Sequence, residues 1–196
     1  FLGYPYSVSE TFQHRNTNSN IESSFNELQR IKEVADKSGK EVMVYISMAF
    51  GNPYGDEYNS DVVMEHIQRL NHNGFSHFAL ADTVGMASST DVSGLVKQVL
   101  SQFQNCDIGV HLHCRHDNWR EKVDAAFQAG CRSFDSALGG FGGCPMAGDS
   151  LVGNLSTELL IQYLTENHVE IGLNLEALND ARKISSNVFS KSNLTA

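Results

Sequence analysis

The sequence predicts an α/β protein built on a parallel sheet. Strand-like and helix-like segments alternate along the 196 residues. They form units of roughly 25–35 residues, the spacing of β-strands joined by crossover helices. Hydrophobic residues make up 41% of the chain and charged residues 19%, which is typical of a globular domain. No apolar run reaches the ~20 residues that would span a bilayer, so we expect no membrane partner.

Five segments have the β-rich composition of strands. In chain order they are Phe1–Val8, Glu41–Met48, Phe75–Leu80, Asp107–His113 and Cys131–Ala137. Apolar residues at helical spacing and glycines at the segment ends predict helices between them. The expected helices start near Ile21 and at Thr90, and cover Asp61–Asn73, Asn118–Ala129, Thr157–Glu166 and Leu175–Ser185. No helix is predicted between the first strand and Ile21.

Strand number leaves two architectures open. A closed (β/α)₈ barrel needs eight strands, so the chain is either an open doubly wound sheet or about the last five strands of such a barrel. No Gly-x-Gly-x-x-Gly opens a helix after a strand, which argues against dinucleotide binding. The chain starts at Phe1 without an initiator Met, and we expect it to begin inside a longer protein.

Charge and cysteine spacing exclude several classes. The formal net charge is −9, which argues against a nucleic-acid or anionic-membrane surface. The four cysteines contain no Cys-x-x-Cys pair, so we predict free thiols in a reducing cytoplasm, or in the mitochondrial matrix of a eukaryote. They are Cys106, Cys114, Cys131 and Cys144.

The strongest chemical motif is His111-Leu112-His113 at the end of a strand. Residues i and i+2 of a strand share a face, so the two imidazoles converge where α/β active sites form. That arrangement suits a metal ion, although a pair of polar residues at a strand exit is the simpler alternative. Cys114 and His116 extend the cluster toward a zinc site, but Cys114 should point to the opposite face.

A glycine-rich segment, Gly139-Gly140-Phe141-Gly142-Gly143, leads into Cys144 and Pro145. A thiol on a segment with such backbone freedom can serve as a proton donor or nucleophile. The alternatives are a turn with an incidental cysteine, or a phosphate-binding loop that lacks the Walker Lys-Ser/Thr ending.

Three further residues are candidates with simpler alternatives. Asp82 follows the third strand, and its carboxylate would project into the same mouth; it could equally cap a helix or shape a turn. Asn154 offers a neutral oxygen ligand, and Glu158 could act as a supporting base. The alternatives are a turn at Asn154 and a favourable charge at a helix N-terminus for Glu158.

Read in order, these motifs resemble 3-hydroxy-3-methylglutaryl-CoA lyases. The similarity runs from about Tyr4 to about Val188 and rests on five segments: Ser7-Val8-Ser9-Glu10-Thr11-Phe12, Ala81-Asp82-Thr83-Val84-Gly85, Val110-His111-Leu112-His113, Gly142-Gly143-Cys144-Pro145-Met146-Ala147 and Gly153-Asn154-Leu155-Ser156-Thr157-Glu158. The resemblance implies that residues 1–196 are the C-terminal portion of a single TIM-barrel catalytic domain. It also implies a homodimer.

The resemblance implies a Mg²⁺ or Mn²⁺ ion bound by His111, His113 and Asn154. The expected reaction is retro-Claisen cleavage of 3-hydroxy-3-methylglutaryl-CoA to acetoacetate and acetyl-CoA. Cys144 would be the acid, His111 would relay protons, Asp82 would orient nearby groups and Glu158 would support them. Cys114 departs from the pattern, since the family usually has Asp or Asn after the second histidine.

Three alternatives to the lyase interpretation stay open. A condensing synthase of the same superfamily would form a carbon–carbon bond from an acyl-CoA. An inactive fragment would bind no divalent cation. A zinc-stabilised structural module is the third.

Overall fold

The structure, a computed structural model, describes the backbone of residues 1–143 and 152–192, with side chains up to residue 189. Its parallel sheet and flanking helices confirm the predicted α/β class. The parallel strands are β1 (Leu2–Ser7), β2 (Val42–Ser47), β3 (His77–Asp82), β4 (Asp107–Cys114) and β5 (Ser133–Phe134), and β6 (Gly153–Asn154) pairs antiparallel with β4. The helices are α1 (Glu10–Thr17), α2 (Ile21–Lys37), α3 (Ser60–His72), α4 (Ser89–Gln102), α5 (Trp119–Gln128), α6 (Thr157–Glu166) and α7 (Leu175–Ser192).

Strand order decides between the two predicted architectures. Each of β1 to β4 pairs in parallel with the next strand along the chain, giving the order β1-β2-β3-β4-β5. A doubly wound sheet reverses this order at a switch point, and the described strands contain no reversal. Continuous winding is the pattern of a (β/α)₈ barrel, so the chain forms part of a barrel.

The structure departs from the prediction at helix α1 and at the fifth strand. Helix α1 was missed; its N-terminus is capped by Ser9, whose side chain accepts from the Phe12 amide. The predicted strand Cys131–Ala137 shortens to Ser133–Phe134. Beyond it, the Ala137 amide donates to Leu155 O instead of continuing the ladder with β4.

Polar side chains fix where helices α2, α3, α4 and α6 begin. Each helix is preceded by a side chain that accepts a hydrogen bond from the backbone amide of its third residue; these capping residues are Asn20, Asn59, Ser88 and Ser156. Such caps satisfy amides that have no partner inside the helix. The helices that follow β2, β3 and β6 therefore begin at defined residues.

The outer face of the sheet carries large apolar side chains, whereas the inner face carries mostly small or polar side chains. On the outer face Val44, Ile46, Phe78, Leu80 and Leu112 are at most 1% exposed and pack against the helices. A row across the inner face runs Pro5–Tyr45–Ala79–Gly109–Ser133. A side chain at position 109 would bring Cβ to 2.8 Å from Ser133 Oγ, so this row requires glycine there.

Within the described residues, no helix combines the length and apolarity needed to cross a bilayer. Cys106, Cys114 and Cys131 are free thiols.

Candidate active site

Strand β4 places two histidines side by side on the inner face of the sheet. His111 and His113 are separated by Leu112 in sequence, and their ring centroids are 5.2 Å apart. His111 faces the small side chain of Ala81 on β3, which leaves space above the strand ends. The predicted convergence of the two imidazoles is therefore present in the structure.

His113 is buried and held by a backbone carbonyl. Its Nδ1 lies 2.7 Å from Thr83 O, and a carbonyl can only accept, so Nδ1 carries the proton and Nε2 keeps its lone pair. Burial, and then the neighbouring His111, lower the pKa of His113. A neutral imidazole with a free Nε2 is the form that binds a metal ion.

His111 is more exposed and is held by a carboxylate. Its Nδ1 lies 3.1 Å from Asp135 Oδ2, directly beyond β5. Tyr45 packs edge-on against the His111 ring at 5.6 Å. Burial, followed by the charge of Asp135 and a hydrogen bond to it, raises the pKa of the Tyr45 hydroxyl. Asp135 therefore links two side chains of the inner face.

Strand β6 brings Asn154 to the same place. Asn154 is the register partner of His113 in the antiparallel pairing of β6 with β4. Asn154 Nδ2 donates to Phe141 O at 2.9 Å, which fixes the amide orientation and leaves Oδ1 as the remaining acceptor. The structure thus unites the three predicted metal ligands.

These three side chains fit part of the coordination shell of a divalent cation. Each histidine donates Nδ1–H to an oxygen acceptor, the arrangement that orients metal-binding imidazoles. Among residues 1–143 and 152–189, no group of three or more His, Cys, Asp or Glu side chains could hold a metal by itself. A cation here would need further oxygen ligands, which hard divalent ions commonly take from carboxylates, water or substrate.

A cavity of about 500 Å³ opens beside the histidines. It is lined by Tyr45, His111, Leu112, Phe134, Asp135, Ser136, Ala137 and Asn154. Small-molecule sites commonly occupy cavities of this order, at the carboxyl ends of barrel strands.

Asp82 does not project into this cavity, contrary to the prediction. Strand register explains why: Ala81 pairs with His111, and Asp82 pairs with Leu112 on the outer face. The Asp82 carboxylate is buried, 2.7 Å from Lys122 Nζ, and accepts from the Ala87 amide. These contacts agree with the alternative prediction that Asp82 shapes a turn.

Glu158 lies under the glycine-rich segment, away from the histidines. Its carboxylate accepts from the Gly139 amide and from Ser156 Oγ, and pairs with Arg182 Nε at 3.1 Å. Burial would raise its pKa, but the Ser156 and Gly139 hydrogen bonds and the Arg182 charge together lower it. Glu158 is therefore an anchor for the turn formed by Leu138–Gly140.

Cys144 lies outside the described residues. The residue before it, Gly143, forms an antiparallel bridge with Gly153. Cys114, on the outer side of β4, is buried in the core, and burial raises the pKa of its thiol to about 12. The orientation expected for Cys114 is confirmed, and the thiol does not reach the histidine pair as the zinc alternative requires.

Three residues of this site were not predicted. Asp135 and Tyr45 lie on predicted strands, and counting alternate positions from the strand ends could have placed Asp135 on the inner face. Thr83 contributes a backbone carbonyl, for which side-chain chemistry gives no signal.

Comparison with known proteins supports the resemblance. The family model described as HMGL-like matches residues 5–184. The chain is 30% identical over 177 residues to a hydroxymethylglutaryl-CoA lyase of Bacillus subtilis, covering 90% of this chain and 59% of that protein. It is 31% identical over 174 residues to the mitochondrial enzyme of Pongo abelii, covering 89% and 53%. A (R)-citramalyl-CoA lyase of Chloroflexus aurantiacus is 32% identical over 171 residues, covering 87% and 54%.

Solved structures give the same relationship. The HMG-CoA lyase of Bacillus subtilis superposes with a TM-score of 0.88 at 28% identity, covering 96% of this chain and 63% of that chain. An HMG-CoA lyase of Acinetobacter baumannii in complex with coenzyme A and 3-methylmalate superposes with a TM-score of 0.85 at 28% identity, covering 96% and 61%. The chain spans 52 to 59% of the length of the curated relatives it matches.

Proposed function

Because the chain belongs to the HMGL-like family, we propose that it forms the cation-binding part of a carbon–carbon lyase acting on 3-hydroxy-3-methylglutaryl-CoA. One observation carries the proposal: His111, His113 and Asn154 converge beside a cavity at the carboxyl ends of the strands. Relatives at about 30% identity, named hydroxymethylglutaryl-CoA lyases, support the choice of reaction.

The reaction balances without an added reductant or oxidant. The tertiary hydroxyl loses its proton, its oxygen becomes the ketone of acetoacetate, and the adjacent carbon–carbon bond breaks. The bonding electrons pass to the thioester as an enolate, which takes a proton on carbon to give acetyl-CoA. A bound Mg²⁺ or Mn²⁺ would polarise the substrate oxygens and lower the barrier to loss of the hydroxyl proton.

The described residues support distinct parts of this chemistry. Burial lowers the pKa of His113, and its Nδ1 faces the Thr83 carbonyl so that Nε2 is left free, which suits a cation ligand. His111 is the proposed second ligand, and Asp135 at its Nδ1 orients the ring so that Nε2 faces the cation. Asn154 Oδ1 is the third. We propose Cys144 as the acid that protonates the enolate carbon, by its match to the family motif.

Incubating the chain with Mn²⁺ and 3-hydroxy-3-methylglutaryl-CoA tests the proposal. We expect acetoacetate and acetyl-CoA in equal amounts, and their loss in Cys144→Ala with Mn²⁺ binding unchanged. Cys106→Ala, a half-buried cysteine remote from the histidines, is the matched control. Mn²⁺ binding to the intact chain without cleavage would contradict the lyase proposal, and absence of Mn²⁺ binding would favour the inactive-fragment alternative.

A second substrate is supported by the citramalyl-CoA lyase relative, the most identical of the three described above. Citramalyl-CoA has one methylene fewer between the hydroxyl-bearing carbon and the carboxylate, and the same bond cleavage would give pyruvate and acetyl-CoA. Running both thioesters side by side identifies the substrate by the oxo acid released. A condensing synthase would instead consume acetyl-CoA.

Assembly and compartment are proposed on the same basis. We propose a homodimer in a reducing compartment; the relatives include cytoplasmic and mitochondrial forms. Light scattering on the purified chain measures the assembly directly.

A further inference from the structure

A fully buried lysine lies directly behind the site. Lys122, on α5, is 0% exposed. Its Nζ donates to Asp82 Oδ2 at 2.7 Å, Gly85 O at 3.0 Å and His113 O at 3.1 Å. An ammonium has three protons, and each of these has one acceptor. The charge is therefore paired and fully hydrogen-bonded.

Packing alone does not require a lysine at this position. Val123 and Ala126, on the same helix, are also buried against the sheet. Removing an ammonium and a carboxylate from water is costly, and well-packed apolar residues commonly replace a buried ion pair without loss of stability. A lysine here is better explained by the particular atoms that it holds in place.

Those atoms flank the hydrogen bond that orients His113. The turn after β3 carries Thr83, whose carbonyl accepts from His113 Nδ1. Lys122 binds this turn on both sides of Thr83, at Asp82 and Gly85, and the Gly85 amide closes it by donating to Asp82 O at 3.0 Å. The same ammonium binds the His113 carbonyl, so one group holds both the donor and the acceptor segments.

We infer that Lys122 is a positioning residue that sets the tautomer and orientation of the His113 ring. By tying the turn at 82–85 to the end of β4, it keeps Thr83 O within reach of Nδ1 and leaves the Nε2 lone pair available next to Asn154. The use of that lone pair to hold a cation rests on the proposed function. The orientation of the His113 ring in the metal-free chain is independent of the proposed function.

His111 provides an internal reference. Its Nδ1 is held by the carboxylate of Asp135, directly beyond β5, and none of the Lys122 contacts involves this residue. A disturbance that spreads through the whole site should affect both rings, whereas loss of the Lys122 contacts should affect His113 first.

The experiment measures histidine tautomers by NMR in the metal-free chain labelled with ¹⁵N-histidine. In the wild type we expect His113 as a single Nδ1–H tautomer. Asp82→Asn/Lys122→Met removes both charges while Asn can still accept from the Ala87 amide, so no buried charge is left unpaired. We expect this double variant to fold, with His113 exchanging between tautomers and His111 unchanged.

Mn²⁺ titration provides the second measurement. Loss of groups that support a metal ligand commonly weakens metal affinity by about 10- to 100-fold, and we expect a loss of at least about tenfold in the double variant. Lys183→Met, which removes an exposed lysine paired with Asp180, controls for charge. Val99→Ala, in the core on α4, controls for general destabilisation; neither should change the His113 tautomer.

Two results would overturn the inference. One is a folded double variant that keeps the single Nδ1–H tautomer of His113 and wild-type Mn²⁺ affinity. The other needs no variant: a wild-type His113 that carries its proton on Nε2. A tautomer that depends on Lys122 in a chain without lyase activity would leave the positioning role intact and contradict only the proposed function.

Discussion

The two faces of strand β4 differ in what their residues do. Val110 and Leu112 point outward, are 1% exposed and belong to the core. His111 and His113 alternate with them on the inner face, where His111 remains 30% exposed. Because successive side chains of a strand point to opposite faces, one eight-residue strand contributes both to the core and to the candidate site. The faces should therefore respond differently to substitution.

The largest expected effect on stability is on the outer face. Leu112→Ala removes a buried side chain between sheet and helices and should lower the free energy of unfolding by about 2–5 kcal/mol. Urea denaturation measures it. Met43→Ala, a truncation of similar size at a half-buried inner-face position of β2, should cost about 1 kcal/mol or less. Equal losses at both positions would contradict the division between the two faces.

The inner face should show the opposite behaviour. His111→Ala removes a proposed ligand and should weaken Mn²⁺ binding by more than about 100-fold, beyond the loss expected for a supporting residue. The His111 ring is partly exposed and does not belong to the hydrophobic core, so the urea midpoint should change little. Isothermal titration measures the affinity, with exposed His116→Ala as the control. Unchanged affinity in His111→Ala would remove this residue from the ligand set.

Asp135 tests whether the inner face depends on a supporting carboxylate. Asp135→Asn keeps the shape but loses the charge facing His111, and should weaken Mn²⁺ binding by about 10- to 100-fold. It should also lower the pKa of the Tyr45 hydroxyl, which the Asp135 charge helps to raise; absorbance at alkaline pH follows this change. Asp107→Asn, an exposed carboxylate at the opposite end of the sheet, is the control. A Tyr45 pKa that does not move would contradict the link between these groups.

The same contrast explains what could be predicted from sequence. The strands were predicted because β-rich segments such as Glu41–Met48 supply the apolar residues of the outer face. The convergence of His111 and His113 was predicted because residues i and i+2 of a strand share a face. Strand order required the structure, since four or five strands fit an open sheet as well as a barrel segment. Asp82 was placed on the wrong face because its orientation depends on register with β4, and local sequence does not encode register.

The contacts that hold the histidines were the least predictable. Lys122 lies on an amphipathic helix, where a lysine usually indicates the solvent side, and only the packed structure shows its three acceptors. Thr83 contributes a main-chain oxygen, which every residue type has. Cys144 remains a prediction from the family motif, since it lies outside the described residues.

The smallest expected effect is a pH dependence that belongs to the helix layer on the outer side. His66 on α3 lies 2.9 Å from the Tyr6 hydroxyl through Nδ1, and burial, followed by the charge of Arg69, lowers its pKa. As pH falls below the ordinary value of about 6.5, the unfolded chain takes up this proton first. Stability should therefore decline until the folded pKa is passed. One group can contribute a slope of at most about 1.4 kcal/mol per pH unit.

Urea titrations of the wild type and His66→Gln between pH 8 and pH 5 isolate this contribution, because the other titrating groups are common to both proteins. The difference between their unfolding free energies should be constant above about pH 7 and should shrink below it, since glutamine does not titrate in this range. His72→Gln, on the exposed side of the same helix, should leave the wild-type pH dependence intact. A wild-type advantage over His66→Gln that grows as pH falls would mean that the folded state favours the charged ring, and that burial of His66 does not govern its protonation.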